Sequence, residues 1–302
     1  MAHIPDGFLS PAVLAGTAAV SGSALWLAAR RTRASLAERQ LPLLGAITAF
    51  LFAAQLFNFP LAAGTSAHLL GGVLVAVLVG PATGMLVVFS VVLVQALLFQ
   101  DGGIAALGAN TLNLAVLGAG GGWLVWRWLL ALLGTGRYGR LVAAGLAAFA
   151  SAVFTGLGVA LELSLSGAVP LRAGLLVVGG AHVFVGLGEA GLTCGILSLV
   201  WRTRPELARA LPAGGPSARR WTWAATGVAA GVAVLAAFYA SSSPDVLESA
   251  AARFGLRHAA IGRVPFAGYE SPLLEPWLVA LAGVAAVFVI CYLLLRAVAQ
   301  RQ

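Results

Sequence analysis

The sequence predicts an all-α polytopic membrane protein: a seven-helix unit followed by a C-terminal two-helix hairpin, about nine transmembrane helices in all. Three observations lead there. Apolar residues fill 60% of the 302 positions and charged residues only 9%, against about 25% charged in an ordinary soluble domain. Apolar runs recur along the chain, most of them close to the ~20 residues that cross a ~30 Å hydrocarbon core. The 18 basic residues are all arginine, and all but Arg127 and Arg296 fall between those runs.

In chain order the runs cover residues 8–29, 43–59, 67–79, 84–99, 104–133, 141–165, 173–201, 221–240 and 276–297, the third being the shortest. With the N-terminus placed outside, only Arg172, Arg253, Arg257 and Arg263 face outward and the other arginines face the cytoplasm, 18 − 4 = 14 of them. That asymmetry is what the positive-inside rule requires, so the net charge of +8 reads as topology and not as a nucleic-acid surface. The expectation is a multi-pass inner-membrane protein with an extracytoplasmic N-terminus and a cytoplasmic C-terminus. No basic residue precedes Arg30 and Asp6 is acidic, which is unlike a secretory leader, so the first run is expected to be retained.

Residues 202–220 (RTRPELARALPAGGPSARR) are polar and rich in Pro and Gly, and divide the chain into a unit at 1–201 and a hairpin at 221–302. Cys194 and Cys291 lie inside runs without a second thiol nearby and read as core residues. Most of the 38 glycines suit close helix contact. The chain has no lysine, hence no phosphate-cradling P-loop. Any ATP chemistry must come from another subunit.

The richest chemistry is at the start, Met1-Ala2-His3. A free amine, the adjacent backbone amide and an imidazole can wrap a metal in fused chelate rings, and planar nitrogen geometry suits Ni(II) or Cu(II). If Met1 is removed, Ala2 and His3 supply three nitrogens and a fourth ligand is needed. If Met1 stays, its amine, two amides and the His3 ring fill the plane unaided. An ordinary histidine in a frayed terminus is the plain alternative.

His68, in the connection 58–68 (NFPLAAGTSAH), faces the same side and can close the plane; alone it would also suit a headgroup interface. Asn58, Thr65, Ser66, Asp101 and Asn110 lie where they can orient these ligands, although Asn58, Asn110 and Asn113 equally suit hydrogen bonds between helices. Ionisable groups inside the membrane are functional hypotheses. Glu162, His182 and Glu189 are such groups, His182 and Glu189 seven residues apart on one helix, where helix packing competes with a role in transport.

Several ordered motifs carry a family likeness: His3-Ile4-Pro5-Asp6-Gly7-Phe8; Gly64-Thr65-Ser66-Ala67-His68-Leu69-Leu70-Gly71-Gly72; Gln95-Ala96-Leu97-Leu98-Phe99-Gln100-Asp101-Gly102-Gly103; and Leu107-Gly108-Ala109-Asn110. They resemble the substrate-binding membrane component of nickel/cobalt energy-coupling-factor transporters, over about residues 2–200. The hairpin resembles the small auxiliary subunit of those systems, whose Pro-Asp-Gly-Leu-Glu reads Pro244-Asp245-Val246-Leu247-Glu248 here. The resemblance implies that Ni(II) or Co(II) is the transported substrate, that no organic cofactor is used, and that Ala2 (after loss of Met1), His3 and His68 hold the metal. It implies as partners a membrane-embedded coupling (T) subunit and cytoplasmic ATPase subunits. An ion-coupled secondary metal transporter is the nearest rival, for which only Glu189 offers a coupling group. An intramembrane enzyme would need a nucleophile with its base or an HExxH helix, and neither is evident.

Overall fold

The computed structural model describes residues 3–60, 65–203, 216–256 and 264–300, most of them helical. The first run becomes α1 (Pro11–Arg33), started by proline at its first position and by the Ser10 hydroxyl accepting from the Val13 amide. After α2 (Leu41–Leu56), a short ribbon pairs β1 (Phe59–Pro60) with β2 (Ser66–Ala67), antiparallel, Phe59 opposite Ala67.

The third apolar run does not make a full span. Residues 68–71 form no helix, and only Gly72–Val79 coil into α3, about 12 Å long at 1.5 Å per residue. The reason is a buried carboxylate. Glu189 accepts the amides of both Leu70 and Gly71, and Gly71, at φ +70°, turns the chain into the helix. Among the described residues eight helices, not nine, are therefore long and apolar enough to cross a membrane.

The remaining elements follow the apolar runs. α4 (Pro81–Val94) continues through a π-helical stretch to Phe99. α5 (Leu107–Thr111), a π-helical stretch (Leu112–Gly121) and α6 (Gly122–Leu133) make one span. α7 (Arg137–Leu165) precedes α8 (Leu171–Gly174), which leads through another π-helical stretch into α9 (Gly180–Thr203). The C-terminal part comprises α10 (Pro216–Tyr239), α11 (Val246–Phe254) and α12 (Pro276–Gln300). Residues 204–215 of the expected linker lie outside the described residues.

α2 and α4 are the central helices, 61% and 67% of their spans being buried. α7 packs on α9, while α10 and α12 flank α2 and α12 also reaches α4. Both cysteines are free and held in the packing: Cys291 is buried with the Thr48 hydroxyl on its sulfur, and Cys194 donates to the Leu141 carbonyl. The Pro244–Glu248 motif is a helix start. Asp245 accepts from the Leu247 and Glu248 amides while Glu248 accepts from the Asp245 amide. Val246 is the first helical residue, a position that does not call for glycine.

Candidate metal site

From His3 onward the N-terminal segment is threaded into the protein. Ile4 is fully buried; its amide donates to Asn110 Oδ1 at 2.7 Å, and its carbonyl accepts from Asn110 Nδ2 at 3.0 Å and from the Gly103 amide at 2.8 Å. Asp6 takes the amides of Ile104 and Ala106 at 3.0 and 3.1 Å. Gly103 permits this closeness: a Cβ there would lie 2.1 Å from Asp6 Oδ1.

His3 is thereby buried, 4% exposed, against His68, 1% exposed, their rings edge to face with centroids 5.5 Å apart. His68 Nδ1 lies 2.7 Å from the Leu69 carbonyl, which only accepts, so Nδ1 donates and Nε2 is bare. His3 Nδ1 lies 2.9 Å from Asp101 Oδ1, and the Tyr269 hydroxyl donates to Asp101 Oδ2 at 2.5 Å. Burial works to raise the Asp101 carboxyl. The His3 imidazole, its hydrogen bond, His68 and the Tyr269 hydroxyl more than offset this and hold it well below the usual carboxylate range. Burial, then the Asp101 charge, pushes the Tyr269 phenol well above its ordinary value, so it stays a donor. Asp101 is thus ionised, His3 Nδ1 donates to it, and both histidines keep a buried Nε2 with no hydrogen-bond partner among the described residues. Buried polar atoms are rarely left so.

The backbone that presents His68 is gripped on both sides of Leu70. Its amide is held by Glu189, and its carbonyl accepts from Gln55 Nε2 at 2.9 Å, Gln55 in turn accepting from Gln95 Nε2 at 3.0 Å. A cavity of about 470 Å³ opens beside His3 and Asp101, with Tyr269, Asp245, Glu248 and Glu270 of the C-terminal part on its wall.

The family described as the cobalt uptake substrate-specific transmembrane region matches residues 3–207. The chain belongs to that family. Members are transport components, and this one is not an enzyme. The fused nickel transport protein NikMN of Rhodobacter capsulatus is 31% identical over 311 residues, covering 95% of this chain and 89% of that protein. A solved transition metal transporter superposes with a TM-score of 0.61 at 28% identity, covering 68% of this chain and 94% of its own. A truncated transition metal transporter does so at 0.60 and 29%, covering 67% and 99%. The family match ends close after α9, while the fused relative extends over the hairpin.

Of the site residues expected in this family member, His3, His68, Asp101 and Asn110 come together; Met1 and Ala2 lie outside the described residues. Ser66 serves the hairpin, donating its hydroxyl to the Ser243 carbonyl at 2.7 Å, and Asn58 lines the cavity. Thr65 is half-buried beside β2. His182 is buried with Nδ1 on the Val178 carbonyl of its own helix, and it does not pair with Glu189, whose oxygens hold the Leu70–Gly71 amides. Reasoning from sequence passed over Asp6, Gln55, Gln95 and Tyr269. Two glutamines inside apolar runs were a signal for the second and third; nothing marked Tyr269.

Proposed function

We propose that this chain captures Ni(II), or as second choice Co(II), on the extracytoplasmic face, using the terminal amine, the His3 amide and imidazole, and His68, as the substrate-specific component of an energy-coupling-factor importer. The observation that carries this is the burial of His3, beside the chain terminus, against His68, whose Nε2 has no hydrogen-bond partner among the described residues. Among the described residues no group of three or more His, Cys, Asp or Glu side chains gathers to hold a metal. Main-chain nitrogen donors at the terminus would complete the set, and those favour nickel. The name of the fused relative supports nickel too, and its coverage supports residues 221–302 as an auxiliary unit.

The outward N-terminus rests on the arginine asymmetry. Energy would come from a membrane-embedded coupling subunit and cytoplasmic ATPases, since the chain has no lysine for a phosphate loop. The ion-coupled alternative is disfavoured because both oxygens of Glu189 are occupied by backbone amides. Nickel titration of untagged protein tests the reading. His3→Ala and His68→Ala should each weaken binding about a hundredfold or more, beyond the 10- to 100-fold typical of residues behind the ligands, and one residue added before Ala2 should abolish binding or restructure it into a site that no longer needs His68. Full affinity in the extended protein would overturn it.

A further inference from the structure

This inference rests on the chelate just proposed. A metal held by the His3 amide nitrogen and its own imidazole closes a six-membered ring through Cα, Cβ, Cγ and Nδ1. Nε2, on the far side of the imidazole, closes no such ring. Yet Nδ1 is the atom engaged by Asp101, at 2.9 Å, while Nε2 has no partner among the described residues. The carboxylate is itself fixed from the C-terminal part: Tyr269 donates to its other oxygen at 2.5 Å. Tyr269 stacks on Phe99 at 4.6 Å, and its loop is pinned by the Phe266 amide on the Leu98 carbonyl at 2.9 Å. His68 shows the opposite arrangement, with Nδ1 satisfied by Leu69 and Nε2 ready.

We propose that Asp101 and Tyr269 form a latch on the metal-free site, holding His3 Nδ1 until the metal displaces them. His68 is preset and His3 is latched. In the exchange the Nδ1–H···Asp101 bond breaks and the Nδ1–metal bond forms. The Nδ1 proton passes to Nε2, the His3 amide proton leaves to solvent as its nitrogen takes the metal, and the carboxylate keeps the Tyr269 hydroxyl. Tyr269 is thus a positioning residue through which the hairpin sets the rate of capture.

The test uses the full, untagged chain in detergent with nickel chloride as probe. Nitrogen-15 spectra of labelled histidine should show His3 protonated at Nδ1 without metal and at Nε2 in the planar nickel complex. In stopped-flow mixing, Asp101→Ala, which removes a charge-assisted hydrogen bond, should capture nickel roughly tenfold faster. Tyr269→Phe, which keeps the stacked ring, should accelerate capture less, and the double variant should be no faster than Asp101→Ala. A nickel complex still protonated at His3 Nδ1, or slower or unchanged capture by both single variants, overturns the latch. Should Asp101→Ala not fold, Tyr269→Phe and the spectra decide. Unchanged affinity in His3→Ala would instead sink the chelate, a result the latch variants do not produce.

Discussion

Asn110 makes with Ile4 both hydrogen bonds that a neighbouring peptide group would make, and so holds the terminal segment where no helix or sheet could. Asn110→Ala would leave the buried Ile4 amide without its acceptor, at about 1–3 kcal/mol, while the Ile4 carbonyl keeps the Gly103 amide. The expected result is a protein with its helical circular dichroism intact and nickel affinity reduced at least tenfold. Asn113→Ala should spare affinity, because that amide donates to Glu162 at 2.7 Å, away from the histidines. Spacing alone put the two asparagines on one helical face. They serve different partners because Asn113 already lies in the π-helical stretch, whose wider turn carries it off that face. The partners themselves were not legible: Ile4 is 106 residues from Asn110, and no local rule links them.

At the level of elements, the hairpin is built into the seven-helix unit through glycines. Gly283 on α12 faces Phe52 and Phe99, and a Cβ there would lie 2.5 and 2.8 Å from those rings; Gly45 on α2 receives Phe288 in the same way, at 3.1 Å. Gly283→Val should therefore overpack the contact at about 1–3 kcal/mol and disturb the seat of Tyr269, which stacks on Phe99. Gly227→Val on α10, with open space around it, should do neither. Thermal unfolding in detergent, with nickel capture measured alongside, separates the two, and equal melting of both variants would refute this packing argument. Apolar runs located most of these helices because length and composition suffice for a span. They overstated the third because its backbone is held out of helix by Glu189, a residue 119 positions away from Leu70.

Across the whole molecule, the C-terminal part grips the loop that carries His68. The Ser66 amide donates to the Pro244 carbonyl at 2.9 Å, the Ser66 hydroxyl to Ser243 at 2.7 Å, and the Ser241 amide to the Asn58 carbonyl at 2.8 Å. Acidic groups of the C-terminal part, Asp245, Glu248 and Glu270, line the cavity and could either attract a cation or press on residues 58–68. Asp245 and Glu248 are engaged in capping α11, so the contact with that loop is the role the geometry favours. Deleting residues 221–302 would have two opposed effects: it removes Tyr269 from the latch, and it frees the backbone that presents His68. The second should dominate, because three hydrogen bonds at about 1 kcal/mol each outweigh one. The remaining unit should fold, as its correspondence to nearly the whole of a truncated transition metal transporter indicates. Nickel uptake by cells that supply the proposed coupling and ATPase partners should fall at least tenfold on deletion and recover in part when the hairpin is returned as a separate chain. Undiminished uptake by the truncated protein would make the hairpin a passive scaffold, and would mean that residues 58–68 hold His68 in place without it.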